Sequence, residues 1–254
     1  MSSQRTSDCC GTLPPIVPKD YQRVGSVKQT AAGLKYYEST VDVKRTDLGI
    51  IVAYDVTGSE SPQTAQQIDR ISKGLGCKVV MPYLFGEDGG YTKPRNTPEE
   101  LDVMWAWIAE RAPPAKVVER IRDIIGVLNA EGITQVAALG FCWGAIQVTE
   151  LCTIPNLLVA GASLHGRAYD AAQGSRIVVP FYNMPSMDEG AQPEFMSAIP
   201  VLVRDKCKEK HWDDMRHGFS SSLGNWEGDG LVKRRAEEAM QVFVDWIQEV
   251  VVAT

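Results

Sequence analysis

The chain has 254 residues, of which 44% are hydrophobic and 23% charged, a composition typical of a globular domain with a sizeable core. Its formal net charge of −6 argues against a nucleic-acid scaffold, since duplex binding depends on clustered Lys and Arg. No apolar run approaches the roughly 18 residues that span a bilayer, and residues 1–20 lack the apolar stretch of a signal peptide. We therefore expect a cytoplasmic monomer or homodimer with no nucleic-acid or membrane partner.

The cysteines and histidines do not suggest a disulfide framework or a metal centre. Six cysteines are too few for a disulfide scaffold in a chain of this length, and none forms a Cys-x-x-Cys pair. The three histidines are scattered, so we expect no metal and no cofactor. The adjacent Cys9 and Cys10 are interpreted as reduced thiols, with redox activity and palmitoylation as alternatives.

Strand and helix patterns alternate after a lead-in over residues 1–30. The run "LGIIVAYDV" is typical of a strand buried on both faces of a sheet. Ser61 is placed to cap the next helix and Pro62 to occupy its first turn, and Gly74 and Gly76 end that helix. A second strand is predicted in "CKVVMPYLF".

The same alternation continues to the C-terminus. Thr97 and Glu100 have the spacing of a capping box, which predicts a helix start. The further predicted elements are a helix over about 115–131, strands in "TQVAALGF", "NLLVAGASLH" and "SRIVVPFYNM", a last strand near 207–215, and a helix over about 231–251.

This order predicts an α/β fold in which one domain spans residues 31–254. Right-handed crossovers between successive strands give a mostly parallel central sheet with helices on both faces. Functional sites in such sheets gather beyond the carboxyl ends of the strands. The chemistry-bearing residues that follow predicted strands are Asp55, Tyr83, Cys142, His165 and Asp188.

The stretch Gly140-Phe141-Cys142-Trp143-Gly144 has the pattern of a nucleophile elbow with cysteine in the serine position. A strand that turns at once into a helix strains the backbone at the nucleophile, and glycine on either side relieves the crowding. The helix N-terminus then favours a thiolate. The backbone N–H of Trp143 becomes one oxyanion donor. The alternative is a structural cysteine buried at a tight turn.

A cysteine nucleophile requires a base and a group that orients the base. His217 in "MRHGF" is the favoured base, because it follows a predicted strand and precedes a flexible Gly. His211 is placed inside that strand, and His165 suits a pocket wall. Asp188 is the favoured acid, with Glu189 as its neighbour; a helix cap or turn is the structural alternative for Asp188.

These motifs together resemble the dienelactone hydrolase family, most closely its fungal branch. The resemblance rests on "VAYDVTG", "GFCWGA", "MPSMDEG" and "RHGF" in this order, and extends from about Gly49 to the C-terminus. It implies an α/β-hydrolase fold in which Cys142 attacks an ester or lactone carbonyl. His217 would carry the proton and Asp188 would orient the imidazole.

The resemblance also implies roles for residues around the thiol. Asp55 stands where the family has an acid that hydrogen-bonds the resting thiol, although bacterial members use the longer glutamate. The backbone N–H of Val56 would be the second oxyanion donor.

The chain departs from the family pattern at the substrate. Bacterial members use two arginines to clamp a substrate carboxylate, and Glu87 and Ser221 occupy the matching positions. Tyr83, Phe85 and His165 are expected to line the pocket. With Tyr83, Phe85 and Trp143 near the site, we expect an apolar or aromatic substrate that carries little negative charge.

The sequence therefore favours a cysteine-dependent hydrolase of a small ester or lactone that works through an acyl-enzyme. One alternative is a non-hydrolytic biosynthetic enzyme, a cyclase, dehydratase or isomerase, that uses the same pocket for acid–base chemistry. A non-catalytic binding module on the same scaffold is a third hypothesis.

Overall fold

The computed structural model describes residues 21–227 and 230–252. Cys9 and Cys10 lie outside these residues, and so does most of the predicted lead-in. The described part of the chain forms an eight-stranded sheet in the order β1-β2-β4-β3-β5-β6-β7-β8. In this sheet β2 pairs antiparallel with both β1 and β4, and the other neighbouring strands pair in parallel. The strands are β1 Ser26–Gln29, β2 Lys35–Ser39, β3 Leu48–Ala53, β4 Lys78–Pro82, β5 Gln135–Phe141, β6 Ala160–Leu164, β7 Phe181–Met184 and β8 Lys208–Glu209.

Helices pack on both faces of this sheet, as the predicted α/β fold requires. The first helix packs against the last, and the third against the fourth, so each face is covered by a separate pair. None of the helices in the described residues is long and apolar enough to cross a bilayer. The helices are α1 Pro62–Leu75, α2 Pro98–Arg111, α3 Pro114–Ala130, α4 Trp143–Leu151, α5 Ala171–Gly174, α6 Pro193–Ala198, α7 Val201–Arg204 and α8 Leu231–Val250.

The predicted starts of α1 and α2 are confirmed, and of the two glycines predicted to end α1 it is Gly76 that does so, while Gly74 lies within the helix. The Ser61 hydroxyl caps α1 by accepting a hydrogen bond from the backbone N–H of Thr64 at 3.3 Å, and Gly76 ends the helix at a φ of 60°. Thr97 and Glu100 form the reciprocal capping box at the start of α2. Both starts depend on local hydrogen bonds, which is why the sequence could locate them.

Two strand predictions need correction. β1 and β2 are absent from the sequence-based prediction, and β1 lies inside the predicted lead-in; its four side chains are all exposed, so no burial pattern marks it. The predicted strand over 207–215 shrinks to Lys208–Glu209, with an isolated bridge from Ser186 to Trp212 further on. At this edge of the sheet β8 reaches only Tyr182 and Asn183 of β7.

The strand order places the carboxyl ends of β3, β5 and β6 side by side. β3 pairs with β5 through Ala53 and Gly140, and β5 pairs with β6 through Phe141 and Leu164. The carboxyl ends of these three central strands are therefore adjacent. The residues that follow them converge on one edge of the sheet.

Candidate active site

Cys142 lies at a strained turn between β5 and α4. Its backbone has a φ of 53° and a ψ of −114°, which L-residues rarely adopt outside functional turns. The flanking glycines are required by space, since a Cβ on Gly140 would lie 2.2 Å from the carbonyl oxygen of Gly144. A Cβ on Gly144 would lie equally close to the carbonyl oxygen of Ala53. The predicted elbow geometry is therefore present, and the N-terminus of α4 begins at the thiol-bearing residue.

His217 lies in the turn after β8 and is held by a carboxylate. Its Nδ1 is 2.6 Å from Oε1 of Glu189, and the two side chains are only 2% and 4% exposed. Burial by itself would raise the pKa of Glu189. The hydrogen bond and charge of His217, with the side chain of Ser186, instead lower this pKa to about 2. The backbone N–H of Ser186 also donates to Glu189, at 2.7 Å. Glu189 is therefore an ionised carboxylate that holds Nδ1 of the His217 ring. The other ring nitrogen, Nε2, does not face this carboxylate.

The carboxylate that contacts the His217 ring is Glu189 and not Asp188, which the sequence analysis favours for this position. Asp188 is exposed, and its Oδ2 accepts a 2.7 Å hydrogen bond from the backbone N–H of His217. The tight turn that begins at Ser186 explains why Glu189, and not Asp188, contacts the ring. In this turn the N–H groups of Glu189 and Gly190 both donate to the Ser186 carbonyl. Within this turn the longer Glu189 side chain reaches the ring, while Asp188 fixes the backbone beside it.

His165 supports the His217 ring from behind. It follows β6 with a φ of 40° and is fully buried. Its ring meets the ring of His217 edge-on, with 5.2 Å between centroids, and also packs against Phe141 and Phe219. Burial lowers the pKa of His165 to about 3, so it is a neutral imidazole at ordinary pH.

The cavity at the thiol is small, with a volume of about 10 Å³, room for about one water molecule. Cys142 is 8% exposed. The cavity is lined by Asp55, Val56, Arg95, Cys142, His217, Gly218, Ser221, Ser222 and Leu223.

The predicted pocket residues Tyr83, Phe85 and His165 do not line this cavity. Tyr83 lines a separate groove beside Lys35 and Glu87, because the chain turns sharply after β4, with the N–H of Gly86 donating to the Tyr83 carbonyl. Phe85 is buried in an aromatic cluster with Tyr54, Trp107 and Trp143. His165 is fully buried and packs against the His217 ring, outside the lining of the cavity.

Asp55 joins two loops at the cavity. Its Oδ1 accepts from the backbone N–H of Thr57 at 2.8 Å, and its Oδ2 accepts from the N–H and hydroxyl of Ser222 at 3.0 and 2.6 Å. The two bonds from Ser222 tie the loop after β3, which carries Val56, to the loop after His217, and the bond from Thr57 lies within the first of these loops. The role of Asp55 as partner of the thiol, and of the Val56 and Trp143 N–H groups as oxyanion donors, stays a prediction.

Arg95 is a site residue that the sequence analysis missed. It is 6% exposed, lines the cavity with Cys142, and its Nε and Nη1 atoms have no hydrogen-bond partner among the described residues. The buried hydroxyl of Ser221 in the same cavity also lacks a partner in this part of the chain. Glu87, expected to repel anions from the site, is 80% exposed and pairs with Lys35 at 2.7 Å. Glu87 therefore lies outside the lining of this cavity, whereas Ser221 is part of it, and the expectation of a substrate with little negative charge stays a prediction.

The loop that carries Arg95 packs against the loop after β3. The loop before α2 crosses the loop after β3, and a Cβ on Gly90 would lie 1.7 Å from the Thr57 carbonyl oxygen. The N–H of Tyr91 then donates to the Val56 carbonyl at 2.8 Å. The glycines of "EDGGY" were the available signal in the sequence, since they permit this close approach. Across the residues described, no three His, Cys, Asp or Glu side chains are grouped as a metal site.

Known proteins share both the sequence pattern and the fold. The family model of the dienelactone hydrolase family matches residues 36–251. The carboxymethylenebutenolidase homologs of Mus musculus and Xenopus tropicalis are each 22% identical to this chain, over 208 and 210 residues, which is 80% of this chain and 82% of each relative.

Solved structures agree on the architecture. A dienelactone hydrolase-like promiscuous phosphotriesterase from metagenomic libraries superposes with a TM-score of 0.60 at 19% identity, covering 89% of this chain and 98% of that chain. An esterase of Pyrococcus furiosus gives a TM-score of 0.55 at 12% identity, with coverages of 93% and 98%. These likenesses show a common fold, and the family match extends over most of the sequence. The chain belongs to the dienelactone hydrolase family.

Proposed function

We propose that this protein hydrolyses a small ester or lactone, with Cys142 as nucleophile, His217 as general base and Glu189 as the carboxylate that orients His217. The observation that carries the proposal is that a cysteine on a strained elbow and a histidine held by a buried carboxylate line the same small cavity. Family membership and the names of the relatives support ester or lactone bonds as the target.

In the first half of the reaction the sulfur of Cys142 attacks the carbonyl carbon, and the thiol proton passes to Nε2 of His217. Nε2 is the nitrogen that receives the proton because Nδ1 faces Glu189. The oxyanion that forms is placed near the backbone N–H groups of Val56 and Trp143. The carbon–oxygen bond of the ester then breaks, the leaving oxygen takes the proton from His217, and a thioester remains on Cys142.

In the second half, a water molecule attacks the thioester carbonyl while His217 accepts its proton. The carbon–sulfur bond breaks, and the sulfur regains its proton from His217. An ester yields an acid and an alcohol, and a lactone yields one hydroxy acid. The ionised Glu189 stabilises the imidazolium that appears in both halves.

Kinetics of two variants test the proposal. Cys142→Ala and His217→Ala are each expected to lower kcat/KM for an aryl acetate by at least about 10³-fold, because the nucleophile and the base act as a unit. Thermal unfolding of each variant is the control for folding. Full turnover by Cys142→Ala with loss of turnover by His217→Ala would contradict the proposal and favour acid–base chemistry without a covalent intermediate.

A further inference from the structure

Ser221 and Arg95 are buried in the lining of the cavity, and each has polar atoms without a hydrogen-bond partner among the described residues. For Ser221 the atom is the hydroxyl oxygen, and the residue is 0% exposed. For Arg95 the atoms are Nε and Nη1. A buried hydroxyl or N–H group without a partner costs free energy, and ordered water is the usual partner where the protein supplies none. These atoms indicate an occupant that both accepts and donates hydrogen bonds.

Size and charge favour a water molecule over an anion or an organic group. The volume of about 10 Å³ holds about one water and is too small for a carboxylate group or an acyl chain. The lining contains the Asp55 carboxylate as well as the Arg95 guanidinium, so an anion would be repelled by one group as it was attracted by the other. A neutral water accepts a hydrogen bond from Arg95 and donates one to Ser221 without adding charge.

We propose that Ser221 and Arg95 bind the water molecule that attacks the thioester on Cys142. The inference rests on the proposed function, in which Cys142 becomes acylated, and it names the residues that place the second reactant. Cys142 and His217 line the same cavity, so a water bound there lies beside both the acylated sulfur and the base. The acyl chain does not fit in the cavity and extends from the sulfur on another side, which leaves the water in its place.

The hydrogen bonds of this water leave one lone pair for the reaction. Its oxygen accepts from an N–H group of Arg95, and its two O–H groups donate to Oγ of Ser221 and Nε2 of His217. The second lone pair forms the bond to the thioester carbonyl carbon as one water proton moves to Nε2. The carbon–sulfur bond then breaks, the sulfur takes the proton from His217, and the products are a carboxylic acid and the free thiol.

Kinetics that separate acylation from deacylation test the inference. A slowly deacylated aryl ester is mixed rapidly with the protein; the burst of phenol gives the rate of acylation, and loss of the acyl group from the Cys142 peptide, followed by mass spectrometry, gives the rate of deacylation. Ser221→Ala is the main variant. It removes a hydroxyl that has no partner in the described part of the chain, so its unfolding temperature is expected to equal or exceed that of the wild type.

Ser220→Ala is the matched control. It removes a buried hydroxyl from the same loop, but this hydroxyl accepts a hydrogen bond from Gln67 at 3.0 Å and does not line the cavity. Its rate of deacylation is expected to equal that of the wild type. Arg95→Met, which removes the N–H donors and keeps a side chain of similar length, is the second test variant.

Ser221→Ala is expected to slow deacylation by about tenfold, the effect of one lost hydrogen bond, and to change acylation by less than about twofold. Its kcat should therefore fall while kcat/KM, which reports acylation, is unchanged. Arg95→Met is expected to slow deacylation by at least as much, and by more than it slows acylation. Hydroxylamine attacks thioesters without needing the bound water, so its addition should bring turnover by Ser221→Ala to the rate of the wild type under the same conditions.

Equal slowing of acylation and deacylation in Ser221→Ala overturns the inference, since the hydroxyl would then act on both halves of the reaction or on the fold. An unchanged rate of deacylation in folded Ser221→Ala and Arg95→Met overturns it as well. A loss in Ser220→Ala as large as that in Ser221→Ala does the same, because the effect would then come from the loop. Failure of the proposed function is a different result: the wild type would release product without a burst and without an acyl group on Cys142.

Discussion

Replacing Glu189 with Gln removes the negative charge that faces the His217 ring and keeps almost the same side-chain shape. The pKa of Glu189 falls from 4.5 to about 2 although burial acts in the opposite direction, with His217 as the main cause of the fall. A difference of this size corresponds to roughly 3 kcal/mol of interaction between the ionised carboxylate and its partners. If the imidazolium in the transition state loses this interaction, kcat should fall by about 10²-fold.

The neighbouring carboxylate provides a matched control. Asp188→Asn keeps an oxygen that can accept the bond from the His217 backbone N–H, which Asp188 now accepts at 2.7 Å. We therefore expect Asp188→Asn to change kcat by less than about tenfold, since a neutral acceptor replaces a charged one at an exposed position.

Initial rates on an aryl acetate, with thermal unfolding measured in parallel, distinguish the two carboxylates. The account expects a large loss of kcat in Glu189→Gln, little change in KM, and a small loss in Asp188→Asn. A large loss in Asp188→Asn with near-normal rates in Glu189→Gln would restore the assignment made from the sequence and refute the geometric argument.

Two further predictions concern stability. Because burial holds the pKa of His165 at about 3, below its ordinary 6.5, the unfolded chain binds a proton that the folded chain does not, and stability should fall as the pH drops from 6.5 towards 3. His165→Phe should reduce that decline in urea midpoints measured across this range, and an unchanged slope would contradict it. Gly140→Ala places a Cβ 2.2 Å from backbone and should cost more than about 2 kcal/mol in urea unfolding. Gly126→Ala, whose Cβ meets nothing within 4 Å in α3, should be neutral or stabilising, and equal losses in both would refute the steric argument.

The sequence was sufficient for features that depend on neighbouring residues in the chain. Ser61 and the Thr97–Glu100 pair are caps made by local hydrogen bonds, and the Gly140–Gly144 elbow follows from steric rules at a single turn. These were predicted correctly because side-chain type and spacing decide them.

The parts that were missed depend on contacts between distant segments. The choice between Asp188 and Glu189 is made by the direction of the turn at Ser186 relative to His217, 28 residues away from Glu189. Arg95 lines the cavity with Cys142, and the loop that carries it packs at Gly90 against Thr57 of another loop. Sequence spacing carries little information on either arrangement.

The central claim is that the Cys142 sulfur becomes acylated during turnover. Rapid quenching of the protein with a slowly deacylated aryl ester, followed by peptide mass spectrometry, measures this directly. The account predicts an acyl group on the Cys142 peptide that forms at the rate of the first product release, and that forms far more slowly in His217→Ala. Steady product formation by the wild type with an unmodified Cys142 peptide at every time point, including under an acidic quench that preserves thioesters, would contradict it.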